Sequence, residues 1–175
     1  MNYATIKWWD VANGEGVRIS LFVSGCTHRC KGCFNEIAWD FSYGEVFDES
    51  IQNKILEELG VSYIAGLSLL GGEPLEPQNQ AAILPFLRRV KERYPQKTVW
   101  CYTGFILNDE ATGLTAARAN TEHTKQLLSY IDVLVDGPYI EALHDIRLKF
   151  RGSSNQRVID MRRTREEKAI QLYLE

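Results

Sequence analysis

At 175 residues the chain has room for one domain with a real hydrophobic core, and its 45% hydrophobic and 25% charged residues are those of an ordinary globular protein. A formal net charge of −3, with no Lys/Arg-rich run, gives no electrostatic reason to expect nucleic acid as a partner. No apolar stretch approaches the roughly 20 residues a membrane span needs, and the start of the chain lacks the charged and apolar regions of a signal peptide, so a reducing, cytoplasmic setting without membrane contact is expected.

In chain order, Tyr3–Trp9 and Arg18–Val23 read as strands, and the second runs straight into a loop holding Cys26, Cys30 and Cys33. Asp48–Leu59 is predicted helical, with Ile51, Ile55, Leu56 and Leu59 on one face, Asp48 or Ser50 as N-cap and Gly60 past its end. A strand at Tyr63–Leu70 precedes a helix at Asn79–Tyr94, whose buried stripe is Ile83, Phe86, Leu87 and Val90. Pro85 should kink that helix or mark its true first turn. Lys97–Tyr102 is a strand, Thr121–Tyr130 a short helix and Ile131–Val135 a strand.

Such alternation argues for right-handed β-α units and a mostly parallel sheet of α/β class. A closed eight-unit barrel takes about 250 residues, so an open, partial β/α barrel is expected here. Residues 1–161 are assigned to this domain and 162–175 to a charged C-terminal tail of uncertain structure, at most a surface helix.

The spacing Cys26-x3-Cys30-x2-Cys33 carries the first chemical signal. Iron–sulfur cubanes normally take four Cys ligands; three thiolates advertise an iron with an open position, where a cofactor or substrate binds. The same spacing also describes one helical face of buried cysteines, but Gly25 and Gly32 break a helix, and Thr27, His28, Arg29 and Lys31 suit no buried face. Cys101, in an apolar strand with no thiol nearby, reads as a core residue. His28 reads as a solvated or supporting group rather than a ligand.

Functional residues of parallel α/β folds gather at the carboxyl ends of strands. Here those ends are the cysteine loop, Gly71-Gly72-Glu73-Pro74, Thr103-Gly104 and Asp136-Gly137-Pro138. The paired glycines permit positive φ and close approach of backbone to a ligand, and Glu73 supplies an anion suited to an ammonium group. Alone, this would be a plain turn; after a cysteine loop it reads as part of a site. No Ser/His or paired-carboxylate centre stands out, so no catalytic side chain is expected.

With these motifs the chain resembles the radical S-adenosylmethionine family. Within it, the likeness is closest to the activators of anaerobic (class III) ribonucleoside-triphosphate reductases. It is carried by Asn13-Gly14-Glu15-Gly16, by Leu21–Asn35, Gly71–Asn79 and Leu134–Gly137, and by Arg151–Gln156. Gly32 stands where many family members have an aromatic; the aromatic here is Phe34, as in the reductase activators.

The resemblance implies that Cys26, Cys30 and Cys33 bind a [4Fe–4S] cluster whose open iron takes S-adenosylmethionine. Gly72 and Glu73 would hold the cofactor's methionine amino end, and the backbone around Gly32, Cys33 and Phe34 would help to position it. It further implies reductive cleavage of the cofactor to a 5′-deoxyadenosyl radical, hydrogen abstraction from a glycine of the large reductase subunit, and an external one-electron donor such as flavodoxin. Arg151–Gln156 is read evenly as an adenosine contact, a partner contact or a capped turn. The rivals are an activator of another glycyl-radical enzyme of the pyruvate formate-lyase type, a small radical enzyme acting on a metabolite, an electron carrier with Cys101 as fourth ligand, and a zinc module using His28.

Overall fold

The computed structural model describes residues 1–174; Glu175 lies outside the described residues. β1 (Asn2–Asp10) and β2 (Val17–Val23) form an antiparallel pair, and after the cysteine loop a two-residue strand β3 (Glu45–Val46) returns against Asn2 and Tyr3. Helix α1 (Glu49–Leu59) starts where the Asp48 carboxylate accepts the Ile51 N–H at 3.0 Å, and it buries Ile55, Leu56 and Leu59 before Gly60 caps it. The alternation then continues through β4 (Ile64–Gly71), α2 (Pro77–Arg93), β5 (Thr98–Tyr102), α3 (Thr124–Ser129) and β6 (Val133–Asp136).

Helix α2 begins two residues before Asn79 because Pro77 fits the first turn, where its missing N–H costs nothing. Pro85 is therefore interior. It lies on the solvent face, where the Ala81 carbonyl it releases can be hydrated, and the helix runs on through it.

The sheet has eight strands in the order β3-β1-β2-β4-β5-β6, followed by β7 (Arg157–Asp160) and β8 (Leu172–Leu174), and it is open rather than closed. Its centre, β2-β4-β5-β6, is parallel. Both flanks are antiparallel, so the sheet is less parallel than the strand–helix alternation suggests: three pairings are parallel and four antiparallel. The C-terminal segment forms helix α4 (Met161–Glu167), with Asp160 as its N-cap, and then β8. Tyr173 of β8 meets Trp100 edge-to-face with ring centroids 5.4 Å apart and donates to Glu15 at 2.6 Å.

One face of the sheet carries Ile19, Leu21, Leu67, Leu69, Val99, Cys101 and Leu134 into the main core against the helices. The opposite, inner face is built in layers set by the strand register. Ser20, Ser68, Trp100 and Val133 are neighbours in one layer. One step towards the carboxyl ends, Phe22 sits beside Leu70, and Tyr102, Val135 and Val158 continue the row. At the amino end of this face Arg18 is 1% exposed, and its guanidinium N–H groups reach Ser68, Thr98 and the carbonyls of Glu15, Leu67 and Thr98. Burial pushes its pKa down to about 10, so it stays a cation at neutral pH and ties β2, β4 and β5 together at the end remote from the cysteines. Among the described residues no helix is long and apolar enough to cross a membrane.

Candidate functional site

The parallel strands end at Val23, Gly71, Tyr102 and Asp136, and a cavity of about 450 Å³ opens beside these ends. Cys26, Cys30, Gly32, Cys33, Phe34, Gly72 and Glu73 all line it, so residues separated by some forty positions in sequence meet around one space. Arg151, Gly152 and Gln156 form part of its wall. That segment is also a self-bonded turn: the Gln156 side chain accepts the Gly152 and Ser153 N–H groups and donates to the Gly137 carbonyl at 3.0 Å. The bonds are those of the capped-turn reading of Arg151–Gln156, in a segment that also borders the cavity. The Phe34 side chain is 86% exposed at the mouth, which leaves its backbone as the part able to serve a ligand inside.

The cysteine loop is held by the turn after β4. The Gly72 N–H donates to the Val23 carbonyl at 2.7 Å and the Glu73 N–H to the Gly25 carbonyl at 2.8 Å, while the Gly25 N–H reaches the Ala38 carbonyl at 2.7 Å. Gly71 takes the positive φ of this turn, +106°. Gly72 does not; its missing Cβ makes room for the backbone, since a Cβ there would stand 2.6 Å from the Gly25 oxygen and 2.9 Å from that of Ala38. Gly72→Ala is accordingly expected to push the cysteine loop away and destabilise the protein by about 1–3 kcal/mol. Thermal denaturation would read this as a midpoint lower by roughly 2–4 °C per kcal/mol; an unchanged midpoint would contradict the close approach.

Glu73 is 1% exposed, and each of its oxygens has two protein partners. Oε1 accepts from the Leu75 N–H and the Thr103 hydroxyl, and Oε2 accepts from the Gly104 N–H and pairs with His28 Nε2, all at 2.8 Å. His28 in turn packs edge-on against Phe105 at 4.4 Å. One carboxylate thus joins the cysteine loop, the turn after β4 and the end of β5. The His28 side chain, read from the sequence as solvated or supporting, is largely buried between Glu73 and Phe105. Glu76 adds a second tie by accepting the Thr27 N–H at 2.9 Å and pairing with Arg118 at 3.3 Å.

Burial pushes the Cys26 thiol up to about 11, against the pull of the His28 and Arg29 backbone N–H groups; burial likewise raises Cys30, opposed by a Tyr139 N–H. The Asn35 N–H lies 3.4 Å from Cys33 Sγ. Backbone N–H groups aimed at sulfur are the surroundings that stabilise iron-bound thiolates. Among the described residues no three His, Cys, Asp or Glu side chains are grouped as ligands of one ion. A cubane spreads its thiolates over different irons, so its loop must present them around a space. Cys101 is fully buried in the helix-side core, while its neighbour Tyr102 borders the cavity, so the two point to opposite faces of β5.

A family model described as a 4Fe-4S single cluster domain matches residues 12–159. Proteins named anaerobic ribonucleoside-triphosphate reductase-activating protein are similar over most of the chain. The one from Pasteurella multocida is 45% identical over 89% of this chain and 95% of its own length. That of Escherichia coli K12 is 40% identical over 93% and 100%, and that of phage T4 is 40% identical over 90% and 93%. The chain belongs to this family of activating proteins.

For a member of this activator family, the parts of the site that sequence reading leaves unassigned are those without a motif. Thr103-Gly104 is visible as a strand end, but nothing in the sequence says that both donate to Glu73. Tyr102, Tyr139 and Phe150, which also line the cavity, read as ordinary aromatics.

Proposed function

We propose that this chain activates an anaerobic ribonucleoside-triphosphate reductase as a radical S-adenosylmethionine enzyme, built on an open partial β/α barrel of that family's type. The observation carrying this reading is the convergence of three cysteines, Gly72 and Glu73 on one cavity at the carboxyl ends of parallel strands, in a chain whose relatives bear the activator name. Cys26, Cys30 and Cys33 are the proposed ligands of a [4Fe–4S] cluster, and Gly32, Cys33, Phe34, Gly72 and Glu73 the proposed contacts of S-adenosylmethionine. When bound, these groups supply one-electron cleavage of the sulfonium to methionine and a 5′-deoxyadenosyl radical that takes hydrogen from a backbone glycine of the reductase.

The protein's part is to bind, orient and shield. The carbonyls and N–H groups of Gly25, Gly72 and Glu73 fix the cysteine loop against the turn after β4. With two donors already on each oxygen, Glu73 acts on the cofactor's ammonium group by its charge and by the backbone it holds; a direct bond requires His28 to give way. We assign the chemistry to residues 1–161 and none to 162–175. On the same reading the thiols work in a reducing cytoplasm, and an external donor such as flavodoxin supplies the electron.

The test is direct. Cluster-loaded protein with S-adenosylmethionine and a strong reductant should release 5′-deoxyadenosine and methionine. Mixed with its cognate reductase, it should give a glycyl-radical doublet by electron paramagnetic resonance. Cofactor cleavage with no radical on a well-folded reductase would sink the activator role and favour another glycyl-radical enzyme or a metabolite as target.

A further inference from the structure

Single exposed apolar side chains are ordinary on a protein surface; a group of them along one rim is not. Phe34 and Ile37, at the end of the cysteine loop, and Ile140, Leu143 and Ile146, in the segment after β6, are all exposed, Phe34 at 86% and Ile146 at 88%. The two segments meet: a Tyr139 N–H is directed at the Cys30 sulfur, and Lys31 pairs with Glu141 at 3.4 Å. The second segment divides its side chains between two environments. Tyr139, His144 and Leu148 line the cavity, whereas Ile140, Leu143 and Ile146 lie outside the lining and face solvent. The Arg151–Gln156 turn holds the segment in that pose. The Ile140 N–H donates to Ser153 Oγ at 3.2 Å, the Ser154 N–H donates to the Leu143 carbonyl at 2.9 Å, and His144 Nδ1 lies 3.0 Å from the Gly152 carbonyl. Ser153 itself is fully buried. An apolar surface fixed in this way loses little freedom when a partner covers it.

We propose that this rim is the docking surface for the large reductase subunit, its occupant the glycine-bearing segment with the apolar residues on either side of that glycine. This rests on reading the cavity as the place where the radical forms. Hydrogen transfer needs the glycine α-carbon at contact distance from the radical, so the segment that carries it must enter at the cavity mouth. Glycine has no side chain to grip. The energy that holds it in place must come from its neighbours, and beside the mouth this protein exposes five large apolar side chains. Two charge pairs between them are engaged within the protein, Lys31 with Glu141 and Arg147 with Asp145 at 2.8 Å, which leaves the hydrocarbon as the part without a partner. The Arg151–Gln156 turn serves the reductase indirectly, by positioning that surface.

Isothermal titration calorimetry of the cluster-loaded protein with its cognate large reductase subunit, under anaerobic conditions, compares wild type with Leu143→Glu and Ile146→Glu. Tyr63→Glu is the control, since Tyr63 is also exposed but lies just before β4, at the end of the sheet remote from the cavity. Iron content and the thermal midpoint report on the fold. Each rim variant should weaken binding by about tenfold or more, the scale of a disrupted hot spot. Iron content and midpoint should be unchanged, and the control should bind as wild type does. Equal affinity in all four proteins would overturn the docking surface and leave the functional reading standing. A matching loss in Tyr63→Glu would assign the effect to added charge, and a loss that tracks falling iron content and midpoint would assign it to the fold; either overturns the proposal. Wild-type protein that holds its cluster yet neither binds the reductase nor raises a radical on it would overturn the functional reading, and this proposal with it.

Discussion

Replacing Cys26, Cys30 or Cys33 singly with Ala is expected to strip the protein of its cluster, from about four irons per chain for a cubane to almost none after anaerobic reconstitution. Cys101→Ala should keep the full complement. Iron analysis and visible absorption measure both. The expectation follows from where the four thiols sit. Three are half-buried around one cavity, with backbone N–H groups of His28, Arg29, Tyr139 and Asn35 near their sulfurs. The fourth lies on the other face of β5 among Leu69, Val99 and Leu134, where no movement short of reversing the strand brings it to the cavity. With three proposed ligands and no spare, losing one leaves two thiolates to hold a cubane. A Cys30→Ala protein that retains a full cluster would remove Cys30 from the ligand set. Loss of iron on replacing Cys101 would revive the electron-carrier reading.

The central strands and the cysteine loop were legible because each carries a signal that physics makes hard to place elsewhere. Asp48 and Gly60 punctuate α1, and the glycine-rich turn after β4 must end a strand, since Gly71 needs positive φ. The antiparallel flanks were not legible. β7 is four residues long and follows a polar turn, and β8 is three, too short for any period to show in the sequence. Nor does an isolated strand reveal its direction; β1 runs antiparallel to β2 because a short loop returns it, while β2 and β4 are joined through α1 and run parallel. Within the site, the sequence named every motif residue lining the cavity but could not show the bonds among them. Gly72 is the clearest example. Its pairing with Gly71 suggests room for a ligand, whereas its missing Cβ accommodates the Gly25 and Ala38 carbonyls.

The same distinction sets the expected result for Glu73. If the carboxylate served only as a ligand contact, Glu73→Ala would lower cofactor affinity and leave the fold untouched. In the structure it is the common acceptor for Leu75, Thr103, Gly104 and His28, buried from solvent. Alanine would strand these donors and open a void between the cysteine loop and β5, so a loss of roughly 3–5 kcal/mol in denaturant unfolding of the apoprotein is expected. Glu73→Gln should fall between. Its carbonyl can keep one pair of donors, while its amide meets a backbone N–H of the other pair, donor against donor, beside a Thr103 hydroxyl or His28 ring nitrogen that can turn acceptor, for a loss of about 1–3 kcal/mol. Because the Gln variant should still fold, it separates the two roles: its cluster-loaded form can be compared with wild type for S-adenosylmethionine binding. An alanine variant as stable as wild type would show that Glu73 does not clamp the site and would return it to direct recognition of the cofactor's ammonium group.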